Sequence, residues 1–290
     1  MASNGIIAHQ RLPDGGFELA WNSIKVPGGV KERLLCQMLL SLTVRGRVPF
    51  EVAPLHGLVL LAGPPGTGKT TLARGLADRV ARQVTGRIDF VQVDPHALAS
   101  DALGQSQQAV TKLFEHTIPE HSIDKTLIVL LDEVETLAAD RQRLSLEANP
   151  IDVHRATDAV LAGVDHLTRR HPKVLLVATT NFPEALDAAL LSRADLIENI
   201  GMPNAAAREA IIRDTFEGLA KAWPNLLLLQ KHAKALAGES SGLDGRRIRK
   251  AILSAAATDV VTASDLNKLT APQIKQAFSA AAAAMKGLKK

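Results

Sequence analysis

Shortages bound this sequence before any motif is read. Among its 290 residues there is one cysteine, Cys36, and no tyrosine. A lone cysteine allows neither an internal disulfide framework nor a cysteine-built metal cluster. Aromatic residues make up 3% of the chain, too few to stock a stacking platform for single-stranded nucleic acid. Apolar runs long and charge-free enough to span a bilayer are missing. The opening Met1-Ala2-Ser3-Asn4-Gly5 lacks the basic and apolar regions of a signal peptide. Nine histidines are scattered without an HExxH pair, so structural or surface roles, and no zinc, are expected of them. Net charge is only +4, with a modest basic cluster at Arg246, Arg247, Arg249 and Lys250 that a solvated helix face or contact with a nucleotide explains. The expectation is a cytoplasmic protein with no membrane partner.

What is present centres on Gly63-Pro64-Pro65-Gly66-Thr67-Gly68-Lys69-Thr70-Thr71. A buried-strand pattern precedes it at 57–62, and a helix-forming run follows. Strand, glycine-rich turn and helix are the context of a phosphate-binding loop. Its glycines let backbone N–H groups point at phosphates, and the helix adds its positive end. Lys69 is expected to reach the β and γ phosphates, and Thr70 to offer a hydroxyl to Mg²⁺. The cofactors expected are ATP and Mg²⁺.

Further strands are expected at 88–93, 127–131, 174–179 and 196–200, with helices at about 31–45, 69–83, 106–115 and 153–169. Alternation of this kind gives an α/β fold, a parallel sheet covered on both faces. Beyond Gly201-Met202-Pro203 the pattern turns wholly helical. The expected organisation is an N-terminal arm over 1–20, a nucleotide-binding core over 21–203 and a small helical lid over 204–290.

Asp132 and Glu133 follow the apolar strand Leu127–Leu131, where the site of a doubly wound sheet collects. Asp132 suits the hydrated metal, and Glu133 suits orienting or deprotonating the attacking water. Asn181 closes the fourth expected strand and can sense the γ phosphate or fix the water; capping the turn before Phe182-Pro183 is its plainer role. Thr180 is a weaker polar candidate. Arg193, ahead of the last strand, would face a neighbour's phosphate in a ring, while a local pair with Asp195 is the alternative. Arg246 opens the basic helix and can reach the γ phosphate, with Arg247 and Arg249 as rivals.

These residues resemble an AAA+ ATPase, a P-loop NTPase. The resemblance covers Gly63–Thr70, Leu130-Leu131-Asp132-Glu133, Thr179-Thr180-Asn181 and the helical lid. More narrowly, Leu131–Leu137, Ser192–Pro203 and Ser241–Arg246 resemble the pachytene-checkpoint type, with Arg-Ala-Asp replacing the Pro-Gly-Arg-Phe-Asp of many relatives. The likeness runs from about Trp21 to about Arg249. It implies a homohexamer that uses ATP to unfold part of a HORMA-domain protein, turning the closed, peptide-embracing form back to the open one. In bacteria it implies a role beside nucleotide-second-messenger synthases in phage defence. It assigns Lys69 and Thr70 to phosphate and metal, Asp132 to metal and Glu133 to water. Asn181 becomes the first sensor, Arg193 the trans finger and Arg246 the second sensor.

Two departures from the family pattern stand out. About 20 residues precede the core, where eukaryotic members carry a recruiting domain, so the compact bacterial form is expected. In the loop Asp101-Ala102-Leu103-Gly104, Ala102 replaces the aromatic pore grip and leaves Leu103 as the apolar contact, with a second pore loop around Arg141 to His154. Two rival readings are a nucleic-acid-handling ATPase, such as a loader or transposition helper, and a nucleotide-gated binding scaffold.

Overall fold

The computed structural model describes residues 5–98, 105–139 and 150–287. Its sheet comprises β1 (Ile6–Leu12), β2 (Leu58–Ala62), β3 (Ile88–Val93), β4 (Thr126–Leu131), β5 (Val174–Thr180) and β6 (Leu196–Asn199). The order is β1-β3-β4-β5-β2-β6. β2 to β6 run parallel to one another, so the five strands expected from the sequence form the α/β sheet.

β1 is a correction. Residues expected as part of an arm instead form an antiparallel edge strand, with Ile6 opposite Val93 and Leu12 opposite Ile88. The hydrophobic pattern hides it, because Ile7 to Arg11 are exposed and only Leu12 is buried. The backbone ladder and one side-chain anchor hold it instead: His9 Nε2 lies 2.9 Å from Asp89 Oδ2.

The helices in the first part of the chain are α1 (Gly15–Ser23), α2 (Val30–Val44), α3 (Lys69–Ala81), α4 (Gln105–Lys112), α5 (Ile118–His121), α6 (Pro150–Arg170) and α7 (Ala188–Leu191). A π-helical turn, Leu113–Thr117, joins α4 to α5. On one sheet face Leu58, Leu60, Val91, Leu127, Val129 and Leu176 pack with Val110, Phe114, Val160 and Val164. The alternate residues Val59, Leu61, Phe90, Ile128 and Leu130 are buried as well. Both faces are therefore covered, which is why these strands read as largely apolar runs.

The helical part contains α8 (Ala205–Ala220), a 3₁₀ stretch (Pro224–His232), α9 (Ala233–Glu239), α10 (Gly245–Ala256), α11 (Val260–Ser264) and α12 (Ala271–Gly287). Its core gathers Ile212, Phe216, Leu226, Ile248, Ile252, Ile274 and Phe278. Asn204 and Asp244 accept from the amides of Ala207 and Arg247, both at 2.9 Å, and so cap α8 and α10.

By contact density the chain divides into two compact units. One comprises Met1–Trp21, Gly29–Gly63 and Lys69–Asn199; the other comprises Asn22–Gly28, Pro64–Gly68 and Ile200–Lys290.

Candidate nucleotide site

In the first unit, the order β4-β5-β2 sets the carboxyl ends of three parallel strands side by side. Register places Leu131 opposite Ala178 and Ala62 opposite Thr180. The residues that follow these strands, Asp132 and Glu133, Asn181, and Gly63, therefore meet at one sheet end.

Lys69, the first residue of α3, is buried. Its Nζ donates to Gly63 O at 2.7 Å and to Asn181 Oδ1 at 2.8 Å. Burial lowers its pKa, against the pull of the Glu135, Asp132 and Glu133 carboxylates. A partly desolvated ammonium attracts phosphate strongly, while the three carboxylates keep it charged and call for a cation to offset them.

Asp132 Oδ1 accepts two hydroxyls, from Thr70 at 2.8 Å and from Thr179 at 2.6 Å. Its Oδ2 takes a long contact of 3.4 Å from Gln92 Nε2, and Gln92 is held in turn by Arg74 Nη2 at 2.6 Å. A carboxylate beside a hydroxyl is a hard-oxygen pair, the donor chemistry that suits Mg²⁺. The residues present fit that ion.

Glu133 adopts a left-handed backbone, φ 54° and ψ 52°, a conformation uncommon for a non-glycine residue and frequent at functional turns. Its amide donates to Thr179 Oγ1 at 3.1 Å. Its side chain is exposed and held at both oxygens: Asn181 Nδ2 donates to Oε1 at 2.9 Å, and His96 Nε2 lies 3.3 Å from Oε2. Asn181 thus links Lys69 to Glu133, and its own amide donates to Glu135 Oε1 at 3.0 Å. The structure brings Lys69, Thr70, Asp132, Glu133 and Asn181 into one network. Thr180 is buried, and its hydroxyl accepts from the Phe182 amide at 3.1 Å.

Sequence reasoning missed Thr179, Gln92, Arg74, Glu135 and His96. Gln92 and Thr179 are polar residues inside largely apolar strands, and that was their only signal. His96, read as one of nine unconnected histidines, follows β3 at the same sheet end as Glu133.

Arg193, also in the first unit, does not pair with Asp195. Its Nε and Nη2 donate to the two oxygens of Asp165, each at 2.8 Å, and its Nη1 donates to Ala189 O at 2.9 Å. Asp195 is occupied elsewhere, accepting from the amides of His56 and Gly57 at 2.8 and 2.7 Å.

The second unit holds the middle of the phosphate loop, Pro64-Pro65-Gly66-Thr67-Gly68. Gly66 and Gly68 have φ of 84° and 96°, where side chains are strained. A Cβ on Gly66 would lie 2.6 Å from Asp244 Cγ, and one on Gly68 would lie 2.4 Å from Ile24 Cδ1. Thr67 Oγ1 donates to Pro64 O at 2.9 Å. On α10, Arg247 Nη1 donates to Asp244 Oδ2 and Arg249 Nη2 donates to Ser23 O, both at 2.9 Å. Both rivals are thereby engaged, while Arg246 is exposed and makes no hydrogen bond or ion pair among the described residues. Ala102 and Leu103 lie outside the described residues, as does the second pore loop up to residue 149.

Residues 59–202 match the family described as "ATPase family associated with various cellular activities (AAA)". CD-NTase-associated protein 6 of Pseudomonas aeruginosa is 48% identical over 277 residues, covering 94% of this chain and 91% of that protein. A pachytene checkpoint protein 2 homolog of Xenopus tropicalis is 32% identical over 269 residues, covering 83% of this chain; the chain spans 62% of that relative's length. Among solved structures, a chain in the E. coli MS115-1 HORMA:CdnC:Trip13 complex superposes with a TM-score of 0.75 at 20% identity, covering 95% of each chain. C. elegans PCH-2 superposes with a TM-score of 0.70 at 25% identity, covering 97% of this chain and 75% of that one. With a phosphate loop, paired strand-end carboxylates and these likenesses in hand, the chain belongs to the AAA family of ATPases, in the branch of the pachytene checkpoint proteins.

Proposed function

We propose that this chain is an ATP-driven remodeller of HORMA-domain proteins, working as a homohexameric ring in the cytoplasm within a CD-NTase antiviral signalling system. The observation that carries this reading is its 48% identity to CD-NTase-associated protein 6 over 94% of its length. The Lys69–Asn181–Glu133 and Thr70–Asp132–Thr179 networks support the hydrolytic half of it. Residues 21–203 serve as the nucleotide-binding core and 204–290 as the lid.

In this reading the backbone N–H groups of Gly66, Thr67 and Gly68 cradle the phosphates of ATP, Pro64 and Pro65 shape the loop, and Thr71 helps close it. Lys69 exchanges its bonds to Gly63 and Asn181 for phosphate oxygens. Mg²⁺, held by Thr70 and Asp132, supplies charge neutralisation on the phosphates when bound. Glu133 takes a proton from, or orients, the attacking water, and Asn181 fixes the carboxylate that does so. Arg246 reaches the γ phosphate from the lid, and Arg193 acts on the nucleotide of a neighbouring subunit. Ala102 and Leu103 contact the substrate peptide in the pore. Cycles of hydrolysis then pull a closed HORMA protein open and release its embraced peptide.

The test is steady-state ATP turnover with and without a HORMA-domain protein loaded with its closure peptide. Stimulated turnover is expected. Equal turnover with and without the complex, in an otherwise competent ATPase, would remove the HORMA protein as substrate and leave the family assignment standing.

A further inference from the structure

Each nitrogen of the Arg193 guanidinium donates a hydrogen bond inside its own chain. Two parallel N–H bonds reach both oxygens of Asp165, and a third bond reaches the Ala189 carbonyl. Such a fork-on-carboxylate pair is the strongest simple arrangement a guanidinium makes. The pair is not a core pair: the Asp165 side chain is 42% exposed and that of Arg193 22%. Other partners for Asp165 are weak. His56 Nε2 stands 3.8 Å away, and burial lowers the pKa of that imidazole, which favours its neutral form.

We propose that Asp165 is a positioning residue that withholds Arg193 until a neighbouring subunit presents a nucleoside triphosphate. The proposal rests on the reading of Arg193 as the finger that acts across the ring. One guanidinium then has two anionic claimants, the Asp165 carboxylate of its own chain and the phosphate chain of its neighbour. A triphosphate carries more charge than one carboxylate and displaces it; an empty site offers no competing anion. Asp165 thereby makes activation conditional on an occupied neighbour, and its removal frees Arg193 at lower occupancy. A merely structural tie between α6 and the end of α7 would affect stability and leave this dependence unchanged.

The experiment compares wild type, Asp165→Asn, Asp165→Glu, Arg193→Ala and the Asp165→Asn/Arg193→Ala double variant. Turnover per subunit is measured against protein and ATP concentration, with nucleotide binding and the thermal midpoint recorded for each. Asp165→Asn is expected to lower the half-activating concentrations by about two- to five-fold, the range a partly exposed ion pair can bias. Asp165→Glu keeps the anion and stays near wild type. The double variant matches Arg193→Ala. Lower turnover in a folded Asp165→Asn ring would mean that Asp165 aims the arginine rather than withholds it, and would overturn the proposal. A gain that persists in the double variant would overturn it too, by showing an effect that bypasses Arg193. Full turnover by Arg193→Ala alone would instead sink the parent reading of the finger. If Asp165→Asn does not fold, Asp165→Ser at the same position gives the same contrast.

Discussion

Thr179 does two jobs with one hydroxyl, donating to Asp132 and accepting from the Glu133 amide. It therefore sets the aim of Asp132, the proposed metal ligand, and the position of Glu133, the proposed general base, together. Thr179→Val keeps the shape and removes both bonds. Support of this kind for a metal ligand is worth about ten-fold or more in affinity. Nucleotide binding titrated against free Mg²⁺ should shift to about ten-fold higher Mg²⁺ in the variant, and an unchanged titration would show that Thr179 does not orient Asp132. A second residue, Asp89, acts on stability rather than chemistry. It is fully buried and takes bonds from Arg87, Lys125 and His9. Burial alone would raise its pKa, but those donors outweigh it and hold the carboxyl well below the ordinary value of 3.8. With the folded value lower than the unfolded one, the stabilisation is present above pH 3.8 and is lost as pH falls further towards the folded-state value. Asp89→Asn should cost about 2–3 kcal/mol at pH 7, with the gap to wild type narrowing in acid below pH 3.8. Denaturant midpoints across pH check this; a gap that stays constant would reject the assignment.

At the scale of elements, α1 and α3 touch where Gly75 allows it. A Cβ there would lie 2.6 Å from the Cα and N of Trp21, and backbone cannot step aside as a flexible side chain can. Alanine inside a helix normally gains up to about 1 kcal/mol over glycine. The contact reverses the sign, so Gly75→Ala should lose about 1–3 kcal/mol through overpacking. A thermal midpoint above wild type would contradict that packing. The strand at 127–131 and the parallel strands β2, β3 and β5 were legible in the sequence because burial on both faces writes largely apolar runs. β1 was not, because it is an edge strand whose exposed residues carry no alternation. The phosphate loop, Asp132, Glu133 and Asn181 could be read because spacing and strand ends place them. His96, Thr179 and Asp165 could not, since their partners are set by strand order and helix packing, which no local pattern encodes. The pair Arg193–Asp165 spans 28 residues, whereas the alternative local pair, with Asp195, was two residues away. Tertiary geometry decided between them.

In the whole molecule, on the proposed reading, hydrolysis at the Lys69–Asp132–Glu133 site is spent on opening a HORMA protein. Among the described residues no helix is long and apolar enough to cross a membrane. The most direct measurement follows a fluorescent closure peptide leaving its HORMA protein when this ATPase and ATP–Mg²⁺ are added. Glu133→Gln and a slowly hydrolysed ATP analogue serve as the arrested controls. Loss of a general base lowers turnover by about 10²-fold or more, so the variant should bind ATP and HORMA protein yet release no peptide. The account predicts fast release by wild type with ATP and none in either control. Release at the same rate by Glu133→Gln, or peptide retained while wild type turns over ATP, would contradict it.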